Sequence, residues 1–147
     1  GKSHLLKPLI QLFGEYAFTR PVGKVSNYPL QDIFGKKVVV LQDLRTDTYK
    51  LPFADLLVWF EGETVTIPLP QNHYCGNKTY TDRAPVFASA GSKLRISPQE
   101  AAMLQVDGNR QNEMMDARWN YFHMPASMQD GVECPPCARW FAEWLSE

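Results

Sequence analysis

Residues 38–41, Val38-Val39-Val40-Leu41, are four consecutive aliphatic side chains with no polar alternation. A strand with one wet face alternates apolar and polar residues, so an unbroken run predicts a strand covered on both faces. The run predicts a strand over residues 36–43, central in a parallel sheet. Around it the pattern changes period. Residues 5–13 are an apolar run of helical character, bent or limited by Pro8 and stopped at Gly14. Residues 16–20 predict a short strand, and Gly23, Asn27 and Pro29 mark a connecting loop before residues 30–34. Apolar positions three and four apart over residues 53–60, following Pro52, predict a short helix on the sheet, ended by Glu61-Gly62-Glu63.

Residues 64–69 alternate like a strand, residues 70–82 are rich in turn formers, and residues 84–89 read as another buried strand. This pattern predicts a hairpin excursion inserted before a core strand. Short helices are expected at residues 99–104 and 113–117, and a late strand at 118–123. The tail joins Cys134-Pro135-Pro136-Cys137 to an aromatic helical stripe, Trp140, Phe141 and Trp144, expected to pack on the core or a neighbouring domain.

Composition narrows the class. A chain of 147 residues with 44% hydrophobic content supports one globular domain and is short for two. A formal charge of −1 argues against nucleic-acid binding through global positive charge and leaves room for a local basic loop. No apolar stretch reaches the roughly 18 residues of a membrane span, and a membrane partner is not expected. Three cysteines, Cys75, Cys134 and Cys137, suit a reducing compartment better than a disulfide scaffold. Cys134 and Cys137 are half of a zinc site, and His73, Cys75 and His123 are the ligand types available to complete it; the expected reading is a pair of reduced thiols in a turn.

Two short features carry candidate chemistry. Gly1-Lys2-Ser3 has the last three positions of a phosphate loop, G-x-x-x-x-G-K-[ST], in which backbone N–H groups cradle phosphates, the lysine reaches the terminal ones and the hydroxyl holds Mg²⁺. The first half of that motif is not in the chain, which accordingly reads as a fragment beginning inside the loop. Asp43 follows the buried strand about 40 residues on, where a phosphate-loop hydrolase needs an acid to hold Mg²⁺ and orient water. Each feature alone is more often an ordinary loop or a solvated strand end.

Taken in order, residues 37–45, 57–68, 84–89 and 113–122 resemble the superfamily 3 helicase domain, particularly the parvovirus non-structural-protein and Rep-like helicases, including transposon-borne and endogenised copies. The resemblance runs to about Met124. It implies an α/β fold of the P-loop NTPase kind, AAA+-like, a three-layer sandwich around a central, mostly parallel sheet whose first strand is missing from this chain. Residues 1–124 would form that domain, truncated within the phosphate loop, and 125–147 a C-terminal extension.

The resemblance also implies roles: Gly1, Lys2 and Ser3 bind ATP, Ser3 and Asp43 hold Mg²⁺, and Lys2 and Asp43 serve hydrolysis. Arg118 resembles the arginine finger that reaches a neighbouring subunit's nucleotide. The segment from Glu61 to Tyr74 resembles the family's extra motif, whose hairpin touches single-stranded DNA; Asn72, His73 and Lys78 are the candidates near its tip. The implied partners are single-stranded DNA and further copies in a ring, a hexamer, in an intracellular, nuclear setting. Three features depart from the pattern. Gln42 stands where a second acid is usual, the sensor position offers Ser89 or Ser92 in place of Asn, and the phosphate loop is incomplete. Two other readings stay open: a degenerate nucleotide-binding or assembly module of the same fold, and a small thiol-containing interaction domain.

Overall fold

The computed structural model describes residues 2–19, 27–72 and 75–123, the side chains of residues 2, 3, 72 and 75 excepted. The valine run forms β2 (Val38–Leu41), and it lies between β1 (Ala17–Thr19) and β5 (Val86–Ala88), parallel to both. Val39 stands opposite Phe18 on one side and Val86 on the other. All four β2 side chains are buried, and the period of two divides them. Val38 and Val40 meet Leu6 and Leu9 of α1 (Lys2–Phe13). Val39 and Leu41 join the larger core with Leu56 and Leu57 of α2 (Phe53–Phe60) and with Ile67. Burial of each such side chain contributes about 1.5–3 kcal/mol. The expected central, doubly covered strand is therefore present, in a mixed α/β architecture built on a small parallel sheet.

α1 contains Pro8, which has no N–H to give the carbonyl four residues back. It ends in a 3-10 turn at Gly14–Tyr16 that leads into β1. At the end of α2, Gly62 has φ +86°. This left-handed residue lets Gly62 N–H donate to Trp59 O (2.9 Å) and Glu63 N–H to Val58 O (3.2 Å), the paired bonds of a Schellman stop.

The hairpin excursion is present and longer than the alternation predicts. β3 (Val65–Asn72) runs past Pro70 and returns as β4 (Cys75–Tyr80) inside the stretch expected to be turns. Among the described residues the ribbon has two strands and each has one unpaired edge, so Pro68 and Pro70 can sit in β3; the register shifts between Pro68 and Asn72. Tyr80 and Ile67 anchor the ribbon's base in the core.

α3 (Pro98–Leu104) begins at Ser97, whose Oγ accepts the Glu100 N–H (3.1 Å). Glu100 Oε1 in turn accepts the Phe53 N–H (2.8 Å), capping α2 from a different helix. α4 (Gly108–Asp116), capped by Asp107, starts five residues before the expected position.

The late strand expected at 118–123 does not form. Ala117 and Arg118 continue as a turn, with the Arg118 and Trp119 N–H groups donating to Met115 O and Asp116 O, and residues 119–123 have no strand neighbour among the described residues. Side chains hold this segment instead: the Trp119 ring packs edge-on against Phe60, centroids 4.7 Å apart. The 125–147 extension, its Cys134 and Cys137 pair and its aromatic stripe lie outside the described residues.

Candidate functional site

The carboxyl ends of β2 and β5 are tied together by Ser89. Its N–H donates to Leu41 O (2.9 Å), its carbonyl accepts the Leu44 N–H (2.8 Å), and its hydroxyl accepts the Asp43 N–H (3.2 Å). Ser89 is buried, so these bonds form away from competing water and fix the loop closely. Asp43 takes a left-handed backbone, φ +50°, which Asp tolerates better than most residues. Its backbone is thus held from behind while its carboxylate faces outward. There Asp43 Oδ2 meets Arg45 Nη2 at 3.0 Å, with both side chains about two-thirds exposed (67% and 69%).

Beside this loop lies a cavity of about 480 Å³. One wall is β5 with residues 89–94, and another is the segment 118–123. Leu5 and Leu6, at the start of α1, and Leu44, just after Asp43, also line it. The beginning of the first helix and the carboxyl ends of two parallel strands therefore converge on one space. Helix N-termini carry free N–H groups and a partial positive charge that favour anions, and the carboxyl ends of parallel strands are where open α/β sheets bind ligands.

No protein-family model, curated protein or solved structure matches the chain.

Lys2 and Ser3 are the first two residues of α1, with backbones already helical; Gly1 and the side chains of Lys2 and Ser3 lie outside the described residues. Asn72 ends β3, opposite Cys75 across the hairpin, and His73 lies outside the described residues. Lys78 is set back from the hairpin tip, opposite Ile67 in β4, with Nζ 4.4 Å from the centroid of the Phe34 ring. That contact gives the ammonium a cation–π partner on the body of the domain.

Arg118 is occupied inside its own chain. Nε–H donates to Leu57 O (3.0 Å), Nη1–H to Met114 O (2.6 Å) and Nη2–H to Glu61 Oε2 (2.6 Å). Its side chain is 14% exposed. The guanidinium thereby closes the carboxyl ends of α2 and α4 onto one point, sharing Leu57 O with the Glu61 N–H, where the negative ends of two helices favour a cation.

Two features of the site carry no periodic or motif signal in the sequence. Arg45 is the first. The second is Asp116, which accepts from Arg95 at both oxygens (2.9 and 3.1 Å) and from Tyr121 Oη–H (2.9 Å), with Lys93 Nζ at 3.8 Å. The Arg95 hydrogen bonds hold the Asp116 carboxyl below its usual range. Burial, then the bond to Asp116, pushes Tyr121 up to about 12. Lys93 Nζ lies 4.6 Å from the Tyr121 ring centroid, so this cluster fastens the 118–123 wall to the 93–95 wall.

Proposed function

We propose that this chain is a nucleotide-binding domain of the superfamily 3 helicase kind, part of the replication or mobilisation protein of a virus-like or transposon-like element. The observation that carries the reading is the convergence of the α1 amino end with the Asp43 loop and Ser89 on one cavity. Gly1, Lys2 and Ser3 would take the phosphates of ATP, with the α1 N–H groups as donors. The β5 edge away from β2 has no strand partner among the described residues; in this reading a strand feeding a complete phosphate loop would pair there.

Asp43 suits Mg²⁺ in one particular way. Among the described residues no group of three or more His, Cys, Asp or Glu could hold a metal, so a protein-only cage is not available there. Mg²⁺ at nucleotide sites commonly takes one or two carboxylates and completes its shell with water and phosphate oxygens. An exposed carboxylate on a fixed loop fits that pattern, and in this reading the second protein ligand would be Ser3. Bound there, the ion would neutralise phosphate charge; Asp43 would orient it and Ser89 would keep Asp43 in place.

Among the described residues no helix is long and apolar enough to cross a membrane. The proposed partners are single-stranded DNA, at Asn72, His73 and the hairpin, and further copies of the chain in a ring, in a nuclear setting. Arg118 acting on a neighbour's nucleotide belongs to the same reading and requires the guanidinium to leave three acceptors of its own chain.

Two observations favour a second reading, a module of the same fold that binds nucleotide or assembles without turning it over. Arg118 is engaged internally, and Gln42 leaves Asp43 without a neighbouring acid. Hydrolysis of ATP by the intact protein separates the two. The helicase reading expects Mg²⁺-dependent turnover that falls at least a hundredfold in Lys2→Ala and in Asp43→Asn. Binding without turnover leaves the second reading standing. Equal turnover in the wild type and both variants contradicts the site assignment.

A further inference from the structure

The two walls of the cavity carry more apolar surface than the described residues cover. Tyr121 and Phe122, on the 118–123 wall, are 44% and 51% exposed. On the other wall all three β5 residues are only half-buried, although they form an unbroken apolar run. The lining includes Lys93, Arg118 and His123 and no Asp or Glu. Arg118 is already spent on Glu61, whereas Lys93 keeps about half of its side chain exposed (51%). Such a surface favours an aromatic occupant that carries acidic groups beside its rings.

The chain supplies a segment of that composition next to the cavity. Residues 124–147 follow directly on His123, which lines it. Trp140, Phe141 and Trp144 have the spacing of one helix face, and Asp130, Glu133, Glu143 and Glu147 outnumber the one cation, Arg139. Three aromatics of this size form an apolar patch of the kind that is seldom left in water. The link over residues 124–139 reaches roughly 50 Å when extended, so the tether does not limit where they dock. A tethered segment also meets its site at an effective concentration in the millimolar range. We propose that the tail docks in this cavity of its own chain, with Trp140, Phe141 and Trp144 against Tyr121, Phe122 and β5 and with its acids toward Lys93. The phosphates of the proposed nucleotide are assigned instead to the α1 amino end and the Asp43 loop. The two assignments use different residues, and each stands or falls alone.

A nitroxide label on Cys137 of the full chain tests this, with Cys75→Ser and Cys134→Ser leaving one thiol and the reduced label as the diamagnetic reference. Paramagnetic broadening of backbone amide signals then reports where the tail sits, with no nucleotide present. Residues 118–123 are close to the label along the chain, so the deciding signals are those of residues 86–90, which are not. These should broaden strongly, and the broadening should be lost in Trp140→Ser/Trp144→Ser while the rest of the spectrum is unchanged. Broadening centred on another surface, or absent from residues 86–90, overturns the proposal. Broadening that persists in the double variant overturns the anchoring role of the aromatic stripe. A mixture of isotope-labelled chain without nitroxide and nitroxide-labelled chain without isotope should show no broadening at residues 86–90. Equal broadening in that mixture would assign the cavity to the tail of a second copy and overturn docking within one chain.

Discussion

Arg118 illustrates how a single side chain can be claimed by two roles. A guanidinium has five N–H donors in a rigid fork, and here three atoms of that fork reach two helix-end carbonyls and the Glu61 carboxylate. Removing it takes this donor from Met114 O, which is partly buried, while Leu57 O keeps the Glu61 N–H; a lost partner of that kind costs about 1–3 kcal/mol. Arg118→Ala should therefore lower folding stability by that amount in chemical denaturation, before any question of turnover arises. Arg118→Lys should recover only part of the loss, because an ammonium on a flexible stem cannot match the fork. An unchanged denaturation midpoint in Arg118→Ala would show that the brace contributes nothing and would free the residue for a role between subunits.

At the scale of elements, the two walls of the cavity are fastened by the cluster around Asp116. Its ionisation behaviour makes that fastening measurable. The Asp116 carboxyl lies below its usual value in the folded chain, so its contribution is complete above the unfolded value near 3.9 and is lost as pH falls through the lower folded value. Tyr121 has the opposite sign. Its folded pKa is raised to about 12, so its contribution is complete below an unfolded value of about 10 and is lost as pH rises toward the folded one. Tyr121→Phe should flatten the alkaline decline of stability between those values, followed by denaturation at a series of pH values; an unchanged alkaline limb would contradict the pairing.

The same scale shows what the sequence makes legible. The buried strand, the α2 helix and the hairpin excursion are readable because each rests on local period or on turn residues: four unbroken aliphatics, apolar spacings of three and four, alternation before Pro70. The helix-capping bond from the Phe53 N–H to the Glu100 carboxylate spans 47 residues and leaves no local trace. The late strand fails for a related reason. Residues 118–123 are aromatic enough to suggest β structure, but a strand needs a neighbour, and here the ring of Trp119 and the hydroxyl of Tyr121 hold the segment by their side chains. Of the candidate site, Asp43 is readable from its place after β2. Arg45 is not, since a spacing of two has no meaning in a loop until the backbone turns left-handed at Asp43.

For the whole molecule, the three-stranded parallel sheet has a consequence for where a ligand can bind. β2 is sealed on both faces, so ligand access is at the strand ends, and the carboxyl end is where the Asp43 loop, Ser89 and the beginning of α1 border the same cavity. The charge balance of −1 fits such a local site better than a broad electrostatic surface. The central claim is that this end of the sheet receives the phosphates of a nucleotide. Amide hydrogen exchange of the intact protein with and without ATP and Mg²⁺ tests it most directly, because bound phosphates should slow opening of the backbone that holds them. The account predicts added protection concentrated in the first turn of α1, at residues 43–45 and at residues 89–92. Unchanged exchange at all three places, or protection confined to another part of the molecule, would contradict it.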